Sequence, residues 1–215
     1  MPGEVKTTYG TGCFILTNVG PKPVQSTAGL LSTVCYKIGD ETQYALEGAV
    51  EVAGAAISWA KSVGLITDTS LIEQEALNVA DCGDVYFVPA FQGIFSPYWR
   101  DDARGLLIGM NMNTKRGHLM RALLEAPCFR TAEVINAMEK DLHAHIGKMS
   151  VDGGMTVNDL LMQTQANFIN AQIERKAEKE ITAVGAAIAA GLSVGFWKEL
   201  DDVRARIQVE AVFSP

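Results

Sequence analysis

Apolar positions fall first into two short runs, Val5 to Tyr9 and Cys13 to Asn18, joined by Gly10-Thr11-Gly12. Two such runs around a short Gly-rich joint predict a hairpin. Residues 44–61 (YALEGAVEVAGAAISWAK) are small and apolar, which predicts a helix. A second helix is expected over residues 71–80, with Thr67-Asp68-Thr69-Ser70 offering capping side chains before it. Val85 to Val88 reads as a short buried strand. Residues 115–142 form a long amphipathic pattern, with Leu119, Leu123, Ala126, Phe129, Val134 and Met138 near helical spacing. Pro127 inside it should bend the helix or remove a hydrogen bond. A strand from Lys148 to Val151, a Gly-rich turn and a helix from Val157 to Asn170 come next. Ile173 to Arg175 is a short strand, and Thr182 to Phe196 is a helix of small residues, expected to be buried and tightly packed. Asp201 to Val212 carries charges and a few β-branched residues. The alternation of strand and helix signals predicts an α/β layer architecture.

Two prolines, two glycines and four aromatics crowd the stretch from Pro89 to Gly105, so it reads as an ordered loop with its own packing. No repeat, low-complexity tract or flexible linker divides the chain. Its 215 residues make one large domain or two small ones, and 48% hydrophobic with 20% charged residues excludes a disordered chain. The net charge of −7 argues against a general nucleic-acid binder, which needs a basic face. It leaves open a local phosphate pocket built from backbone N–H groups. Cys13, Cys35, Cys82 and Cys128 are scattered, with neither a CxxC nor a Cys/His cluster. That spacing argues against a zinc site and a disulfide framework. Without a secretory leader pattern, reduced thiols in a cytosolic-type compartment fit best. The longest uncharged run, Ile181 to Trp197, falls short of the roughly 20 apolar residues a membrane span needs.

Three segments could carry chemistry. Gly10-Thr11-Gly12 fits a plain hairpin turn, and it also fits a phosphate-binding tip, with a hydroxyl between residues whose N–H groups no Cβ shields. Val151-Asp152-Gly153-Gly154-Met155-Thr156-Val157-Asn158 sits at a strand-to-helix junction, where a helix N-terminus attracts electron-rich groups and a diglycine admits a ligand to the backbone. Asn158 would face the same side from the first turn. This is neither a GK[ST] phosphate loop nor a GxGxxG, and a Gly-rich turn with a threonine cap fits equally well. The third is Glu47 to Trp59, where Gly54 among alanines suits tight packing as well as nucleotide contact. His118, His143 and His145 read as caps or surface residues, and no Ser/His/Asp or Cys/His arrangement emerges from them.

Taken in order, TTYGTGCF, YALEGAVEVAGAAISW, VYFVPAFQGIFSPYWRDDARG, VDGGMTVNDLLMQTQAN and TAVGAAIAAGLSVGFW resemble the C-terminal domain of the FGGY carbohydrate kinases, on their glycerol kinase branch. The resemblance spans residue 4 to about 198 and implies a single FGGY-type C-terminal nucleotide-binding domain over 1–215. It implies the actin/hexokinase-like ATPase fold, in which two α/β domains close on a nucleotide. By that resemblance Thr11 stands near the terminal phosphates, and Gly54, Gly154 and Asn158 match nucleotide contacts. Phe14 matches an aromatic on the apolar side of a glycerol pocket, and Arg104-Gly105 a structural turn. ATP with Mg2+ would phosphorylate glycerol, the base being an Asp upstream of YGTG, before the start of this chain. The expected partners are therefore ATP or ADP, glycerol, an N-terminal domain and further copies of the chain, with no nucleic acid or membrane, in the cytoplasm.

Four departures from the family pattern stand out. Ser58 stands where a nucleotide-contacting Gln is usual, Asn111 replaces a Thr, Arg130 and Ala132 stand in place of Gln and Arg, and Lys176 to Ile181 replaces a proline-led stretch. A second reading, from another class, is a non-catalytic module that senses nucleotide or binds a protein.

Overall fold

The computed structural model describes residues 2–204 and 206–215. β1 (Val5–Tyr9) and β2 (Cys13–Gly20) form the expected hairpin, in antiparallel register from Val5 opposite Thr17 to Tyr9 opposite Cys13. They sit near the middle of a seven-stranded sheet with β3 (Leu31–Ile38), β4 (Glu41–Val50), β7 (Lys148–Asp152), β8 (Gln172–Lys176) and β9 (Val209–Phe213), in the order β3-β4-β2-β1-β7-β8-β9. The β1–β7 and β7–β8 pairs are parallel, and the outer pairs are antiparallel.

Side chains alternate across the sheet, as the two-residue strand period requires. Val5, Thr7 and Tyr9 point into the core, whereas Lys6 and Thr8 point to the other face. The core face is covered by α3 (Arg116–Leu142) and α4 (Asp159–Ile169), through Met120, Leu124, Met138, Leu161 and Met162. α3 matches the amphipathic pattern within a residue and runs unbroken through Pro127, which is buried inside it. His118 serves as a cap, its Nδ1 accepting from the Lys115 N–H at 3.1 Å.

The expected helix over 44–61 is corrected. Residues up to Val50 form β4, and only α1 (Gly54–Ser62) is helical. β4 lies between β2 and β3, and its second half is buried on both faces except at Glu47, so its sequence shows a mostly small apolar run instead of alternation. β3 and β9 escape the pattern because they are the two edges of the sheet, where most positions face water. The caps before 71–80 are real. Asp68 accepts from the Ser70 N–H at 2.9 Å, a 3₁₀ turn covers Thr69–Leu71, and α2 (Ile72–Ala76) follows.

β5 (Tyr86–Val88) pairs with β6 (Leu106–Ile108) and closes the loop between them. That loop is ordered by specific bonds. Arg130 Nη2 donates to the Ser96 carbonyl at 2.6 Å and Trp99 Nε1 to the Gly29 carbonyl at 2.8 Å. Arg104 donates to the carbonyls of Asp101 and Ala103, which fits a structural turn.

The expected burial of the small-residue helix is also corrected. In α5 (Ile181–Ser193) only Gly191 is buried. Apolar composition shows that a helix needs cover, and the described residues leave most of this one uncovered. A short α6 (Asp201–Arg204) precedes β9.

Candidate functional site

Three turns meet at one end of the sheet. The hairpin tip closes on itself, the Gly10 N–H donating to the Gly12 carbonyl at 2.9 Å. Its carbonyls cap α1. The N–H groups of Ala53 and Ala55 donate to Thr11 O at 2.9 and 3.0 Å, and that of Gly54 to Gly10 O at 3.0 Å. α1 has no capping side chain, so the tip satisfies the N–H groups that a helix start leaves open. A Cβ on residue 54 would lie 2.6 Å from Gly10 O, so only glycine permits this docking. The Gly10 N–H is therefore turned inward, and the exposed group at the tip is Thr11.

The third turn is the diglycine after β7. Gly153 has φ +98°, and a Cβ there would lie 2.4 Å from the Tyr9 carbonyl. Gly154 is different, with nothing within 4 Å of its Cβ position. A 3₁₀ turn over Gly154–Val157, and not an α-helix from Val157, follows the strand. Thr156 Oγ1 donates to Gly153 O at 2.8 Å, and Arg175 Nη1 donates to Thr156 O at 2.8 Å, which holds the turn from both ends. α4 then starts at Asp159 with Asn158 as its N-cap, Oδ1 accepting from the Leu161 N–H at 2.7 Å. Asn158 is thus the cap and not a residue of the first turn: it is buried, its Oδ1 is taken by the cap bond, its Nδ2 has no part in that bond, and the residue lines the adjoining space.

That space is a cavity of about 310 Å³ between α1, the turn before α2, the diglycine turn and α3. Gly54, Ser58, Gly154 and Asn158, all expected from sequence, line it together. Its apolar wall includes Ile57, Leu124 and Leu161. Thr11 stands outside, on the neighbouring tip. Phe14, half exposed, lines a separate groove of about 810 Å³ under α5 with Lys6, Thr8 and Ile188. In that groove Lys6 Nζ lies 2.9 Å from Oδ1 of the buried Asp152 and also donates to Thr8 Oγ1.

Sequence reasoning missed Glu73 and took Thr69 and Ser70 only as caps, although all three line the cavity. No spacing signal marks Glu73, because α2 and α4 bring it to the site from far apart in the chain. Beneath the tip, Tyr9 Oη donates to Gln165 Oε1 at 2.7 Å, and burial pushes the Tyr9 phenol and the Cys13 and Cys128 thiols up. The two cysteines are protonated packing residues, since only a thiolate is nucleophilic.

Residues 5–194 match the C-terminal domain of the FGGY family of carbohydrate kinases. The chain is 51% identical to the glycerol kinase of Methylorubrum populi, covering 100% of this chain and 43% of that protein. It is 50% identical to glycerol kinase 2 of Streptomyces coelicolor, over 99% of this chain and 42% of that one. The chain therefore spans less than half the length of these curated relatives. A crystal structure of Plasmodium falciparum glycerol kinase with ADP superposes at a TM-score of 0.91 with 42% identity, over 99% of this chain and 43% of that one. A ligand-bound xylulose kinase from Lactobacillus acidophilus, at 22% identity and a TM-score of 0.84, shares the fold. The layered mixed sheet is that of the actin/hexokinase-like ATPases. The chain belongs to the FGGY family of carbohydrate kinases.

Proposed function

We propose that the chain is the nucleotide-binding part of a glycerol kinase-like phosphotransferase. The observation that carries this reading is the meeting of the Gly10–Gly12 tip, Gly54 and the Gly153–Gly154 turn beside one cavity of about 310 Å³. That volume lies in the range of roughly 300–1,000 Å³ typical of small-molecule sites. An adenosine fits the chemistry of its lining: an apolar wall for the base, the Asn158 amide as a donor and a glycine edge for close approach. Thr11 would then meet the terminal phosphates, and Phe14 would pack on the carbons of glycerol.

In the reaction a glycerol hydroxyl oxygen bonds to the γ-phosphorus of ATP as the bridging P–O bond to ADP breaks. The hydroxyl proton passes to a carboxylate that we place outside these 215 residues. Catalysis of this kind is mostly positioning and charge stabilisation. Among the described residues no group of three or more His, Cys, Asp or Glu side chains could hold a metal. Mg2+ typically keeps several waters and needs only one or two carboxylates beside the substrate phosphates, so it would be held chiefly by the nucleotide phosphates.

Titration of ADP and ATP against the 215-residue chain tests the reading. Binding of order millimolar is expected, because one side of the nucleotide stays open and the surplus over ordering costs is small. Absence of binding at several times that concentration overturns it. The chain alone is expected to show no glycerol phosphorylation, and turnover near 1 s⁻¹, the low end for enzymes, would overturn the placement of the base.

A further inference from the structure

The cavity has a donor in Asn158 Nδ2, but a nucleoside also brings donors of its own, the ribose diol and, in adenine, an exocyclic amino group. These need acceptors. Ser70 lines the cavity too, and its hydroxyl, which donates to Asp68 Oδ1 at 2.7 Å, can still accept, but a neutral oxygen makes the weaker bond. Glu73 is better placed. It lines the cavity from α2, is half-buried, and its Oε1 accepts from the Leu160 N–H at 2.8 Å. One carboxylate oxygen is thus fixed on the first turn of α4, next to the Asn158 cap, which holds the side chain in place. The other oxygen has no role in that bond. Among the described residues no Lys, Arg or His pairs with Glu73, although Arg116 lies 3.7 Å from Glu75 on the same short helix.

A held carboxylate with one oxygen to spare is the group that accepts from a vicinal diol, and a charged acceptor makes the stronger hydrogen bond. Position decides between diol and amino group. The base belongs against the buried apolar side chains of Ile57, Leu124 and Leu161, which offer it contact and no hydrogen-bonding groups. Glu73 keeps part of its surface in water, so it stands at the rim, where the sugar of a bound nucleotide lies. Resting on the nucleotide reading above, we propose that Glu73 accepts from the ribose hydroxyls and makes this cavity selective for ribonucleotides over deoxyribonucleotides.

The test compares ADP, 2′,3′-dideoxy-ADP and inosine diphosphate on the wild-type chain and on Glu73→Gln, with a melting curve for each. Gln keeps an oxygen for the Leu160 N–H and replaces the free oxygen by a donor, so the fold should persist. The expected result is that wild type binds ADP about 10-fold more tightly than the dideoxy analogue and that Glu73→Gln removes this difference, since one charged hydrogen bond is worth about that factor. Inosine diphosphate should follow ADP in both proteins. If wild type binds ADP and dideoxy-ADP equally, the ribose role is overturned while the nucleotide reading stands; that comparison needs no variant. If Glu73→Gln instead alters discrimination against inosine diphosphate, the carboxylate reads the base, and the diol assignment is wrong. If wild type binds none of the three, the nucleotide reading fails first and this proposal with it.

Discussion

At the scale of single residues, the two adjacent glycines at 153 and 154 separate folding from binding. Gly153 is held at φ +98° with its Cβ direction blocked by the Tyr9 carbonyl, so Gly153→Ala combines an unfavourable backbone region with a clash against β1. Strain of this kind costs about 1–3 kcal/mol, which lowers the melting temperature by about 2–4 °C per kcal/mol in a chain of this size. Gly154→Val should melt close to wild type, because its Cβ meets open space, yet weaken ADP binding at least about 10-fold by filling the cavity edge. Calorimetry and titration on both variants check the split; a Gly154→Val chain that binds normally would remove Gly154 from the site. The diglycine was legible in the sequence as a turn. Which of the two carries the strain was not, because the Tyr9 backbone, remote in sequence, decides it. Asn158 carries a comparable double role. Asn158→Ala should lose about 1 kcal/mol with the cap as well as nucleotide affinity. Asn158→Asp should keep the cap and the melting temperature, but lose affinity by replacing a donor with a negative charge. An Asn158→Asp chain with unchanged ADP affinity would show that the amide donor is not used.

Elements with a single period were legible, and elements defined by their neighbours were not. α3 was readable almost to the residue, because a long helix with one buried stripe repeats its signal many times. β4 was not, because its burial on both faces follows from its place between β2 and β3, and its run of small apolar residues then resembles a helix. The loop between β5 and β6 was legible as ordered but not for what orders it. Arg130, one of the positions that departs from the family pattern, holds it from inside α3 through the Ser96 carbonyl, with Glu133 beside its other nitrogen and the Tyr98 ring 5.4 Å away. Arg130→Ala leaves a buried carbonyl without its donor, which costs about 1–3 kcal/mol. Tryptic cleavage at Arg100 and Arg104 should accelerate in this variant while cleavage elsewhere changes less. Equal cleavage rates at those two sites in both proteins would show that Arg130 does not anchor the loop.

For the molecule as a whole, the balance of covered and uncovered apolar surface decides how the chain behaves in isolation. α5 has no charged residue, and a helix apolar on every side is ordinarily buried, yet only Gly191 is buried here. Just beyond it, Val194 is 80% and Phe196 75% exposed. Phe14 is exposed across the groove that α5 roofs, so the apolar surface extends from the helix to the sheet. Monomeric proteins rarely leave contiguous apolar patches beyond a few hundred Å² open to water. The isolated 215-residue chain should therefore self-associate through this region, and sedimentation velocity should show weight-average mass rising with concentration. Val194→Lys together with Phe196→Glu should raise the monomer fraction with little change in melting temperature, because both side chains contribute mostly exposed surface. A wild-type chain that sediments as a clean monomer at high concentration would show that this surface does not drive association. A double variant that associates as strongly as wild type would move the contact elsewhere on the molecule.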